Sequence, residues 1–68
     1  MTYSLLQPTP DGVQTVARFG TYVKARAAAN EGHEYTATEM HPSGYVEVED
    51  KHGQTLYLIT WTKDEESY

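Results

Sequence analysis

Gly20-Thr21-Tyr22-Val23-Lys24-Ala25-Arg26-Ala27-Ala28-Ala29-Asn30-Glu31-Gly32 is the one stretch of this chain with the texture of a helix, and its place among strand-like segments decides the fold. Thr21 is suited to cap the first turn, because its hydroxyl oxygen can accept a backbone N–H that the helix leaves unpaired. Four alanines within residues 25–29 supply the highest helix propensity available. Gly32 stands where a left-handed residue closes a helix. These signals predict a helix over residues 22–31. Tyr22, Ala25 and Ala29 recur at i, i+3 and i+7 and share a face with Ala28 beside them, whereas Lys24 and Glu31 point elsewhere. So short a helix is marginal alone in water, so it must be held by packing, and its small alanines let it lie close to a sheet.

Strands are expected on both sides of it. Upstream, Tyr3–Gln7 and Val13–Phe19 flank Pro8-Thr9-Pro10-Asp11-Gly12, where locked proline φ angles and an Asp-Gly pair favour chain reversal. This predicts a hairpin with a loop of about five residues. Downstream, Glu34–His41 carries Tyr35, Thr36 and Thr38 and ends at Pro42-Ser43-Gly44. Tyr45–Glu49 alternates, with Val46 and Val48 on one side and Tyr45, Glu47 and Glu49 on the other. After the turn Asp50-Lys51-His52-Gly53 comes Thr55–Thr62, apolar on both faces and therefore expected inside the sheet.

The order is ββαβββ, and the fold class is α+β: a two-layer arrangement of an antiparallel sheet with one helix packed on one face. Residues 1–62 are expected to form one domain, and 63–68 an acidic, frayed tail. The helix side is expected to take Val46, Val48, Leu56 and Leu58 with Phe19 or Val16. The opposite side then inherits Tyr45, Tyr57, Ile59 and Trp61, with nothing left in the chain to cover it.

Composition excludes several classes. Ten acidic residues against five Lys and Arg give a net charge of -5. There is no apolar run of ~20 residues to span a bilayer, and no membrane partner is expected. The first residues lack the basic start and apolar stretch of a secretion signal. Zero cysteines remove disulfides, thiolate metal sites and cysteine nucleophiles, so the expected compartment is a reducing cytoplasm. A domain near 60 residues buries only about 60% of its unfolded surface, so a partner could complete its thin core.

The six tyrosines and the tryptophan are rigid surfaces with polar tips, a composition favoured at binding hot spots. The alternative is that they shield the sheet, pack across strands or close a homodimer. The expected partner-binding residues are Tyr45, Tyr57, Ile59 and Trp61, with Glu47 and Glu49 beside them. Acidic clusters at Glu47-Val48-Glu49-Asp50 and Asp64-Glu65-Glu66 could stand in for phosphates before a nucleic-acid-binding partner, or could serve solubility alone. Arg18, Lys24, Arg26, Lys51 and Lys63 are too scattered for the patch that direct nucleic-acid binding needs. His33, His41 and His52 match no metal-ligand spacing. There is no nucleophile motif or phosphate loop, and the chain is too short for a sizeable cleft. No metal, cofactor or enzymatic activity is expected.

Asp11-Gly12-Val13 through Ala27-Ala28-Ala29, above all Phe19-Gly20-Thr21-Tyr22 before the alanine helix, resembles the opening of many small orphan proteins encoded by bacteriophages, notably those of actinobacteria. Tyr45-Val46-Glu47-Val48 with Leu56-Tyr57-Leu58-Ile59 is similar in style. The resemblance spans most of the chain and carries no catalytic motif. It implies a protein that acts by binding, inhibiting host defences or redirecting host machinery, and some small anti-CRISPR proteins share the helix-on-sheet plan. The resulting expectation is a non-enzymatic binding protein that blocks a host protein or complex. A nucleic-acid mimic or nucleic-acid-associated module, and a structural homodimer, are the alternatives.

Overall fold

A computed structural model describes residues 1–63. Except for Lys63, the expected acidic tail lies outside the described residues. Five strands and one helix follow in the order β1 (Thr2–Thr9), β2 (Gly12–Phe19), α1 (Tyr22–Asn30), β3 (Ala37–His41), β4 (Tyr45–Glu49) and β5 (Thr55–Thr62). The strands form one sheet in the spatial order β2-β1-β5-β4-β3, and each neighbouring pair is antiparallel. The α+β reading holds.

This order accounts for the helix. β2 and β3 are the two edges, so the chain between them must traverse four strand spacings, about 19 Å. Nine helical residues cover about 14 Å of that path, and residues 31–36 supply the rest. Thr21 caps the start, its hydroxyl oxygen accepting the Lys24 N–H at 3.2 Å. At the far end Gly32 takes φ 80°, a left-handed turn that costs a side-chain-bearing residue more. The return to the sheet is clamped by Arg26, whose guanidinium donates to the Thr36 hydroxyl at 2.8 Å and to the Thr36 carbonyl at 3.4 Å. Asn30 joins this cluster through its side-chain carbonyl, which accepts from both Arg26 and Thr36.

Cross-strand pairing decides which side chains meet the helix, because residues directly opposite in an antiparallel ladder share a face. One row runs Ala17–Leu5–Ile59–Val46–Met40, flanked by Phe19–Tyr3–Trp61 and Tyr57–Val48–Thr38. Leu5, Ile59, Val46 and Val48 are buried with Ala25 and Ala29 of α1; Tyr3, Phe19, Tyr22, Ala28, Tyr57 and Trp61 pack against them. The opposite face carries Thr15–Leu6–Leu58–Glu47–Glu39 and, beside it, Arg18–Ser4–Thr60.

The faces of β5 are therefore the reverse of the expected ones. Tyr57, Ile59 and Trp61 belong to the helix side, and Leu58 to the open side. Both sets are apolar, so alternation within β5 does not choose between them. The choice comes from β1, where Leu5 enters the core opposite Ile59 and Leu6 lies opposite Leu58. Two bulges add further shifts. Leu5 and Leu6 face Ala17 and Thr15, leaving Val16 as the extra residue of β2, half exposed at 51%. Val48 and Glu49 face Tyr57 and Thr55, which leaves Leu56 as the extra residue of β5. Such bulges change the alternation on either side of them, and neither Val16 nor Leu56 joins the buried core.

Two boundaries also differ. The first hairpin closes on Pro10-Asp11 alone, since Thr9 already pairs with Gly12. The Thr9 hydroxyl donates to the Gly12 carbonyl at 2.8 Å, and Gly12 adopts φ 133°, a conformation that favours glycine. β3 starts at Ala37 instead of Glu34, because the preceding residues finish the crossing and Arg26 holds Thr36.

Candidate functional site

Both sheet faces present surfaces, and the six expected partner-binding residues are split between them. Ile59 is fully buried and is a core residue. Tyr57 and Trp61 are half-buried against that core. Tyr45, Glu47 and Glu49 lie on the open face. The expectation that all six share one exposed face is corrected accordingly.

On the open face, Leu6 and Leu58 are half-buried neighbours near the middle of the sheet. Toward β3 their row continues into Glu47 and Glu39. Carboxylate oxygens of Glu39, Glu47 and Glu49 lie within 4.8 Å of one another. This proximity follows from strand geometry: Glu47 and Glu49 are two residues apart on one strand, and Glu39 is directly opposite Glu47. Beside them the His41 ring stacks on Tyr45, with centroids 4.4 Å apart and planes 13° from parallel. His41 Nε2 is 3.8 Å from Glu47 Oε1, too far for a hydrogen bond, and among the described residues this buried nitrogen has no hydrogen-bond partner. Arg18 is paired with Ser4 toward the β2 edge, away from the carboxylates. The face thus combines an apolar centre with concentrated negative charge on one flank. Its chemistry suits a cationic side chain adjoining an apolar one.

The helix side carries a groove of about 340 Å³ lined by Tyr3, Tyr22, Met40, Val46 and Trp61. It arises because α1 lies over β1, β2 and β5, leaving the β3 end of that face without a helix. Tyr3 organises the aromatic wall, edge-on to Tyr22 at 6.0 Å and tilted against Trp61 at 6.3 Å. Met40 forms the outer rim and is 64% exposed. Periodicity within each segment did not disclose this groove, since its lining comes from β1, α1, β3, β4 and β5.

A second concavity, about 260 Å³, gathers Gly32, His33, Glu34, Tyr35, Asp50, Lys51 and His52. Of its two carboxylates, Glu34 and Asp50, the second is engaged in the turn: Asp50 Oδ1 accepts the N–H groups of His52 at 2.8 Å and Gln54 at 2.9 Å. The Gln54 N–H chiefly, with that of His52 and the nearby imidazoles of His52 and His33, holds the Asp50 carboxyl below the usual carboxylate range. A carboxylate used in this way braces the β4–β5 turn.

Among the described residues no helix is long and apolar enough to cross a membrane. Comparison with protein-family models, with curated proteins and with solved structures returned no match.

Proposed function

We propose that this chain is a non-enzymatic binding protein that docks a basic protein surface on the open face of its sheet. The observation that carries the reading is the row Leu6–Leu58–Glu47–Glu39, in which an uncovered apolar pair runs into clustered carboxylates. A Lys or Arg side chain on the partner would meet Glu39, Glu47 and Glu49, while an adjoining apolar side chain would cover Leu6 and Leu58. Opposite potentials draw such surfaces together and set their register, and burial of the leucines supplies affinity that salt does not screen. The partner's action is blocked by occupying its surface. The phage-like pattern of residues 11–29 makes a host-cell protein the partner class to examine.

The test is affinity capture with three proteins: the unaltered chain, Leu58→Arg on the open face, and Val23→Ser on the outer helix surface, where Val23 is 75% exposed. A captured protein should have a basic contact surface, remain with Val23→Ser and be lost with Leu58→Arg. Its affinity should fall with salt and level off above zero. Capture insensitive to Leu58→Arg would move the interface off this face. Complete loss of affinity in salt would favour the purely electrostatic reading, in which the carboxylates imitate phosphates.

A further inference from the structure

Strand β3 is an edge, and among the described residues it has a strand on one side only. Its outward backbone groups can therefore receive another strand. We propose that the strand it receives is β3 of a second copy, paired antiparallel about a twofold axis at Met40, so that two five-stranded sheets join into one of ten.

The register follows from side-chain chemistry. In an antiparallel pair related by a twofold axis normal to the sheet, opposed residues share a face, so their numbers sum to an even value. Centring on Glu39 would use all of Ala37–His41 but would set Glu39 directly against its copy. Each would bring Glu47 and Glu49, already within 4.8 Å of it, into one uncompensated cluster, and opposed like charges destabilise a ladder. Centring on Thr38 would oppose Met40 to Thr36, whose carbonyl and hydroxyl are held by Arg26. Centring on Met40 avoids both faults and confines the pairing to Glu39–His41 of each copy, because the next pair would set Thr38 against Pro42, which has no N–H to donate. Glu39 then faces His41 of the other copy on the open side, twice by symmetry. On the helix side the two Met40 side chains, each 64% exposed, cover one another. Because Met40 rims the groove with Tyr3, Tyr22, Val46 and Trp61, the two grooves meet across the axis.

The other edge does not offer this. The bulge at Val16 places Val13 and Thr15 on the open side but Ala17 and Phe19 on the helix side. A twofold pairing running past the bulge would oppose residues from different faces. Such irregularity is a recognised guard on edge strands. β3 is short but free of bulges.

A chain without cysteine allows a direct test by single substitution. Directly opposed residues have Cα atoms about 4.5–5.5 Å apart, inside the range a disulfide spans, whereas a diagonal pair lies at ~7–8 Å, beyond it. Under mild oxidation Met40→Cys should form a linked dimer about tenfold faster than Glu39→Cys or the exposed helix control Val23→Cys, reflecting the high effective concentration of paired thiols. Sedimentation of the unaltered chain should show a dimer, and Met40→Lys should sediment as a folded monomer. The proposal is overturned if Glu39→Cys links faster than Met40→Cys, which gives the other register. It is also overturned if Met40→Cys links no faster than Val23→Cys, or if the unaltered chain stays monomeric at ~100 µM, a concentration that populates any dimer of micromolar affinity. The inference is independent of the open-face partner: capture can fail while the thiols link, and the reverse.

Discussion

Replacing Ile59 and Leu58 by alanine, one at a time, tests the sidedness of the whole sheet, because these neighbours lie on opposite faces of the same strand. Ile59 has no exposed surface and sits between Leu5 and Val46. Ile59→Ala removes three buried carbons at about 0.8 kcal/mol each, a floor near 2.4 kcal/mol. The cavity left among Leu5, Val46, Val48 and Ala25 raises this to ~3–4 kcal/mol, within the range of such truncations. Leu58→Ala removes three carbons from a half-buried site over which no described element lies, for about 1 kcal/mol. A chain of 68 residues has a stability of roughly 3–10 kcal/mol, so the first change consumes a large part of it and the second does not. Urea unfolding followed by Trp61 fluorescence reads both. With a slope near 1 kcal/mol per molar, common for small domains, the midpoint should fall by about 3 M for Ile59→Ala and about 1 M for Leu58→Ala. Ile59→Val, costing about 1 kcal/mol, extends the series should the alanine variant be unfolded in buffer. An equal or larger loss at Leu58 would refute the assignment and put the helix on the other face.

Thr21→Ala removes the oxygen that accepts the Lys24 N–H and should cost about 1 kcal/mol, measured by thermal unfolding. Glu39→Gln relieves the charge opposite Glu47 and should stabilise the fold by ~0.5 kcal/mol at low salt, a gain that shrinks toward zero in 1 M salt. Because the Asp50 carboxyl titrates below its ordinary value of 3.8 in the folded chain, its ionised form stabilises the fold above that pH. The stability difference between the unaltered chain and Asp50→Ala, followed by urea unfolding, should narrow as pH falls from 3.8 through the lowered value. Trp61→Ser, which opens the aromatic wall of the groove, should lower the midpoint of unfolding as well as alter any docking there, unlike a detachable surface residue.

Segment-level features were legible because they depend on local chemistry. The Thr21 cap, the alanine run and Gly32 determine the helix, which ends one residue before the expected boundary, and β4 and β5 have the expected limits. Val46 and Val48 enter the core because their neighbours Glu47 and Glu49 leave one side of β4 apolar. β5 gives no such cue, with leucines on one side and Tyr57, Ile59 and Trp61 on the other. Its orientation depends on pairing with β1 some fifty residues earlier, and on bulges that isolate Val16 and Leu56. The same dependence hides the open face: Leu6, Leu58, Glu47 and Glu39 come from four strands and become a row only through register. Glu47 and Glu49 stand out in the sequence as part of a local acidic cluster with Asp50, but Glu39 acquires its significance from lying opposite Glu47.

The pairing of β1 with β5 in the middle of the sheet has a consequence for how the chain tolerates being cut and rejoined. During synthesis the central ladder cannot close until β5, some fifty residues after β1, has emerged, so the hairpin β1–β2 waits with one edge unpaired until then. Thr2 and Thr62 end up opposite each other, at the same end of adjacent strands, so a short linker joining these ends would bridge neighbours without crossing the sheet. A permuted chain opened at the exposed Pro42-Ser43-Gly44 turn should fold to the same sheet while carrying β5 and β1 as one continuous hairpin, replacing the slowest long-range closure with a local one.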